Sequence, residues 1–136
     1  MTALMIDTSV LLAIFKGETD GERWLDALQK CAETCALWIS PVVLAELRSF
    51  FASDEACLAA LNDLGIAATP LTDDAALLAG KIFREYRRQG GPRTTILPDF
   101  LVAAHAAVQT GVLATTDRGY LRTYFPDLTI WEPDSL

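Results

Sequence analysis

Short apolar runs alternate along this chain with stretches whose apolar positions recur every three or four residues, the pattern of buried strands feeding amphipathic helices. Residues 3–6, Ala-Leu-Met-Ile, predict a buried strand, and Asp7, Thr8 and Ser9 then offer the side-chain oxygens favoured at a helix start, ahead of an apolar segment over 10–15. After Gly17 the positions Trp24, Leu25 and Leu28 fall at helical spacing. Residues 36–39 predict the next strand, closed by Ser40 and Pro41, and a third helix follows to about Phe51. Asp54 is expected to cap a helix carrying Cys57, Leu58 and Leu61, before an extended stretch over 66–69. Thr72, Asp73 and Asp74 open a long helix through Leu77, Leu78, Ile82, Phe83 and Tyr86, which ends at Gln89-Gly90-Gly91-Pro92. Pro98 suits the first turn of a helix bearing Phe100, Leu101, Ala104 and Val108; a strand over 112–115, a short helix from Asp117 and a strand over 128–131 complete the chain.

Strands separated by helices imply crossover connections and a parallel sheet covered on both faces. The expectation is an α/β fold: a three-layer α/β/α domain over residues 1–136, with a parallel sheet of four to five strands. Composition supports an ordered globular chain, since 51% of residues are hydrophobic and 21% charged. The three cysteines, Cys31, Cys35 and Cys57, cannot all pair within one chain, and their spacing is not that of a zinc site, so free thiols in a reducing compartment are expected. The N-terminal residues lack a basic segment followed by an apolar stretch and cleavage site, and no apolar run approaches the length that spans a bilayer. A cytoplasmic protein with no membrane association is therefore expected. The net charge of -7 argues against broad electrostatic coating of duplex DNA, so contact with nucleic acid must be local.

The chemistry of the chain lies in four acids at the ends or turns of apolar segments: Asp7, Glu46, Asp99 and Asp117. In open parallel sheets ligands gather beyond the carboxyl ends of the strands, where Asp7 and Asp117 are expected. Helix capping accounts for Asp7 or Asp117 alone, and a first-turn position favoured by the helix dipole accounts for Asp99. Glu46 lies on the stripe of Val42 and Phe50, an apolar face by spacing, where an ionised carboxylate needs a partner. Like charges about 4 Å apart cost roughly 4 kcal/mol at an effective dielectric near 20, so acids that converge call for a cation. An all-carboxylate set selects hard cations such as Mg²⁺ or Mn²⁺, which commonly engage phosphate oxygens as well. No Walker-type loop or dinucleotide-binding glycine pattern is present, so hydrolysis of a phosphodiester by activated water is the reaction that fits.

The single histidine, His105, reads as a packing residue, and neither Ser9 nor Ser49 has an evident histidine partner for nucleophilic catalysis. Thr8 and Ser9 offer hydroxyls beside Asp7. Lys81, Arg84, Arg87, Arg88 and Arg93 cluster before the loop that leads to Asp99, a candidate grip on RNA phosphates; Arg118 and Arg122 would extend it.

The ordered set Ile6-Asp7-Thr8-Ser9-Val10, Ser40-Pro41-Val42-Val43-Leu44-Ala45-Glu46, Pro98-Asp99-Phe100-Leu101-Val102-Ala103-Ala104 and Thr115-Thr116-Asp117 resembles the PIN-domain ribonucleases, particularly the VapC-like toxins of type II toxin-antitoxin systems. The resemblance spans nearly the whole chain. It implies a Mg²⁺- or Mn²⁺-dependent endoribonuclease in which Asp7, Glu46, Asp99 and Asp117 form the metal and catalytic site, supported by the Thr115 hydroxyl. It also implies a homodimer restrained by an antitoxin protein, and Arg122 to Asp127 approximates a further stretch of such toxins. Some relatives carry another acid just after the last aspartate, where this chain has Arg118-Gly119-Tyr120. The competing reading is a non-catalytic module of the same fold that holds RNA or a protein. A phosphoacceptor receiver domain is disfavoured because Thr69-Pro70-Leu71 stands where its aspartate belongs, and an aspartate-nucleophile phosphatase because Ser9 does.

Overall fold

The computed structural model describes residues 1–92, 95–117 and 119–133. Five parallel strands form one sheet: β1 (Ala3–Ile6), β2 (Ala36–Ile39), β3 (Ile66–Ala68), β4 (Val112–Ala114) and β5 (Thr129–Trp131), in spatial order β3-β2-β1-β4-β5. The central strand, β1, is buried at all four positions, as a strand covered on both faces must be. Its register sets Met5 beside Trp38 on one side and Leu113 on the other. The helices are α1 (Thr8–Phe15), α2 (Gly21–Cys31), α3 (Pro41–Phe50), α4 (Asp54–Asp63), α5 (Asp73–Arg88), α6 (Leu97–Gln109) and α7 (Gly119–Tyr124), giving the three-layer α/β/α arrangement. None of the described helices is long and apolar enough to cross a membrane.

Side-chain caps explain most of the helix starts. Asp7 accepts from the Thr8 amide, Ser40 from Val42, Ser53 from Ala56 and Thr72 from Ala75. Ser53, rather than Asp54, is thus the cap of α4. The last short helix begins at Gly119 rather than at Asp117, and β4 ends at Ala114. Where α1 meets α2 the backbones touch: a Cβ at Gly21 would stand 2.5 Å from the Ala13 carbonyl oxygen, so only glycine fits.

One aromatic cluster anchors the helices that carry the late acids. Phe100, fully buried, packs at 5.2 Å from Phe83, 5.1 Å from Tyr86 and 5.2 Å from Tyr120. The three cysteines are free, but Cys35 is only half-buried and its thiol donates to the Cys31 carbonyl oxygen at 3.1 Å. Burial, together with contact with Cys35, pushes the Cys31 thiol up to about 12. His105 is buried, its Nε2 3.1 Å from Thr69 Oγ1 and 2.7 Å from Gln109 Oε1, a contact that ties the end of β3 to α6.

Candidate active site

The site is assembled at the ends of the two central strands. Asp7 directly follows β1, and its amide donates to the Ala114 carbonyl oxygen at 2.9 Å, which continues the β1–β4 pairing by one residue and brings Thr115 alongside. The half-buried Asp7 carboxylate accepts from the Thr8 amide at 2.8 Å, the Thr115 hydroxyl at 2.8 Å and the Ser9 hydroxyl at 3.4 Å. Burial pushes its carboxyl above the ordinary range. The bonds from Thr115 and Thr8 pull it down, and the charges of Asp99 and Glu46 push it up again.

Asp99 occupies the first turn of α6, where one carboxylate oxygen accepts from the Ile96 amide at 2.9 Å. Its carboxyl is also raised, by burial first; the Ile96 bond opposes this and the charge of Asp117 adds to it. Asp117 is exposed, and its amide donates to Thr115 Oγ1 at 3.1 Å, so the Thr115 hydroxyl links the acids following β1 and β4.

Glu46 requires a correction. It is exposed, as is Phe50, while Val42 is half-buried. The stripe of α3 that turns inward carries Val43 and Leu47, both fully buried. Because α3 is apolar on several faces, spacing could not select between neighbouring stripes. Glu46 is held instead by an unanticipated bond: the Thr8 hydroxyl donates to Oε1 at 2.8 Å, tying α3 to α1 beside Asp7.

Tyr120 is a site residue that the sequence pattern did not single out. Its hydroxyl donates to the Asp99 carbonyl oxygen at 3.2 Å, and its ring packs tilted against Phe100 at 5.2 Å. Its phenol is held above the usual range by burial and then by the charges of Asp7, Asp99 and Asp117, so these three acids share one neighbour in space. The sequence shows that no acid stands at this position, whereas the phenol's contact requires the return of α7 onto α6.

The basic candidates divide. Arg84, Arg87 and Arg88 are exposed on α5, whose Phe83 and Tyr86 pack on the ring of Phe100, next in sequence to Asp99. The Arg87 guanidinium lies 5.8 Å from the Phe83 ring centroid. Arg93 and Arg118 lie outside the described residues.

Among the described residues no three acids stand close enough to enclose a metal ion, so the four carboxylates surround a mouth without closing on one point. The residues nevertheless fit a hard divalent ion: the available donors are carboxylate and hydroxyl oxygens, and the Asp7 and Asp99 carboxyls are raised by burial first and then by the charges of neighbouring acids. Among the described residues no Lys or Arg forms an ion pair with any of the four; Arg48, for example, pairs with Asp54 at 2.5 Å.

A parallel sheet with mutually repelling carboxylates, half-buried or exposed, past its central strands defines an acidic-cleft α/β protein. The chain matches the PIN domain family over residues 4–126 and belongs to it. Its fold is similar to VapBC2 from Rickettsia felis, solved bound to a DNA fragment from their promoter, with 21% identity over 96% of this chain and 98% of that one and a TM-score of 0.74. It is also similar to VapBC-1 from nontypeable Haemophilus influenzae, with 19% identity over 98% and 99% of the two chains and a TM-score of 0.74. The DNA-bound VapBC from Salmonella typhimurium gives 22% identity, the same coverage of 98% and 99%, and a TM-score of 0.67. Comparison with curated protein sequences finds no match.

Proposed function

We infer that the chain is a metal-dependent endoribonuclease that hydrolyses RNA phosphodiester bonds, and that it is the toxin of a toxin-antitoxin pair. The observation that carries the reading is the electrostatic convergence of Asp7, Glu46, Asp99 and Asp117: Asp7 feels Asp99 and Glu46, and Asp99 feels Asp117, with no described cation paired among them. A Mg²⁺ or Mn²⁺ ion held by these carboxylates would supply charge stabilisation to the phosphodiester and lower the pKa of water.

The protein's own residues divide the remaining work. Thr115 holds Asp7 and the Asp117 amide in fixed relation, while Thr8 keeps Glu46 turned toward the same mouth. Ser9 bridges Asp7 and the Thr116 amide. Tyr120 fixes the start of α6, and with it Asp99. The arginines of α5 offer bidentate grips for flanking phosphates. An antitoxin partner is supported by the similarity to VapBC complexes; a homodimer working in the cytoplasm completes the proposed reading.

The test is cleavage of a mixed RNA pool with and without Mn²⁺, with the cut ends mapped by sequencing. Cleavage should require the metal and be abolished by Asp7→Asn and by Asp99→Asn, with both variants retaining the native circular dichroism spectrum and RNA binding. Unchanged cleavage in both variants would overturn the site. Metal-independent binding without cleavage by the wild type would favour the non-catalytic module.

A further inference from the structure

A cleft of about 680 Å³ opens beside the acidic mouth, and the two share a wall. That wall is Ser9, whose hydroxyl lies 3.4 Å from Asp7 Oδ2 and accepts from the Thr116 amide at 3.2 Å; both Ser9 and Thr116 line the cleft. Ser9 thus stands between the Asp7 carboxylate and the cleft. The volume falls within the range of small-ligand pockets, about 300–1,000 Å³.

The lining selects the chemistry. Leu12 and the small part of Trp24 left uncovered beside Trp131 supply apolar surface at the cleft, while the turn from α1 to α2 brings Lys16, Glu18 and Asp20 to it. Among the described lining residues, two carboxylates against one ammonium disfavour a phosphate. They suit a base edge that presents N–H donors to a carboxylate and a carbonyl oxygen to the ammonium. Guanine is the RNA base with adjacent N1–H and N2–H donors next to the O6 acceptor, whereas uracil offers a single donor between two carbonyls. The turn is preset by the backbone: the Glu18 amide donates to the Ala13 carbonyl oxygen at 2.9 Å, the Gly21 amide to the Glu18 carbonyl oxygen at 2.9 Å, and Gly17 adopts φ +66°.

We propose that the cleft between α1 and α2, joined to the acids through Ser9, is a base-specificity pocket that receives a guanine next to the scissile phosphate. This deepens the ribonuclease reading and rests on it. Bidentate recognition of a base edge discriminates by about tenfold or more.

The experiment measures kcat/KM on RNAs that differ only at the nucleotides flanking the cut, for the wild type and for a Glu18→Ala/Asp20→Ala variant, whose replaced side chains are exposed. Guanine at one flanking position should be preferred by about tenfold, inosine, which lacks the 2-amino group, should lose much of that advantage, and the variant should cleave all substrates at similar rates with unchanged Mn²⁺ dependence and Tm. In parallel, amide chemical shifts are followed as GMP, AMP, CMP or UMP is added to the wild type, with GMP expected to move residues 16–20 most. Cleavage without a guanine preference, or with one that survives in the variant, overturns the pocket and leaves the nuclease reading standing. If the wild type cleaves no RNA, the nuclease reading falls; a GMP-selective shift at residues 16–20 then still supports the pocket, and its absence overturns it.

Discussion

Replacing Thr115 by Val keeps nearly all of a buried side chain and removes the one hydroxyl that joins two of the acids. The loss is a 2.8 Å bond to an ionised carboxylate, together with the acceptor for the Asp117 amide at 3.1 Å. A hydrogen bond to a charged group contributes about 1.5–3 kcal/mol. Asp117 is exposed, so water can replace its amide's partner, and the expected cost is about 2 kcal/mol. For a domain of this size that lowers Tm by about 8 °C and the urea midpoint by about 1 M. Thr115→Ser should recover most of the loss because it restores the donor.

The sign of the pH dependence separates this effect from packing. The Thr115 bond favours ionised Asp7 and so pulls down a carboxyl that burial has raised. Its contribution is present above the folded-state pKa of Asp7 and fades as pH falls through that value. Urea unfolding without metal should therefore show a gap between wild type and Thr115→Val that is widest at the alkaline end of the range and narrows as pH falls through the raised pKa of Asp7. A gap below about 0.5 kcal/mol at the alkaline end, or one of constant size across the range, would refute the hydrogen-bond account.

Asp99→Asn should raise the metal-free Tm by a few degrees, on the order of 1 kcal/mol, because it removes a charge raised by burial and Asp117 while keeping an acceptor for Ile96. Mn²⁺ should then stabilise the wild type more than the variant, by differential scanning fluorimetry; equal shifts would count against Asp99 as a ligand. His105 is held below its ordinary pKa by burial, against the raising effect of its bond to Gln109, so the folded state binds fewer protons than the unfolded one. Its contribution to stability is complete above about pH 6.5 and is lost as pH falls toward its folded pKa, and a His105→Gln variant should lack this component in urea titrations. Phe100→Ala should cost about 3–5 kcal/mol in chemical unfolding, since it empties the centre of the aromatic cluster; a loss below 1 kcal/mol would mean that α5, α6 and α7 do not depend on that ring.

Much of the architecture was legible because local physics specified it. The runs at 3–6 and 36–39 became strands at those residues, and Asp7, Ser40 and Thr72 became helix caps through their own side-chain oxygens. The order of helices and strands required a parallel sheet before any contact was known. Local competition explains the small errors: Ser53 displaced Asp54 as a cap because its hydroxyl reaches the Ala56 amide, and the hydroxyl of Thr115 engages the Asp117 amide ahead of α7.

The site was legible as residue types and only partly as geometry. Sequence alone determined that three acids stand near element ends and a fourth, Glu46, within a helix, that no phosphate-binding glycine loop is present, and that a hard cation is the chemically apt partner. Tertiary structure decided which stripe of α3 faces inward, leaving Glu46 exposed but tied to Thr8, and which phenol stands beside the acids. It also decided that the turn after α1 forms a cleft against Ser9 and Thr116. The physical reason is range: caps and strand propensity act over a few residues, whereas the Thr8–Glu46 bond spans 38 positions and the Thr115–Asp7 bond 108. Those contacts exist only once the sheet order has brought the chain's two ends together.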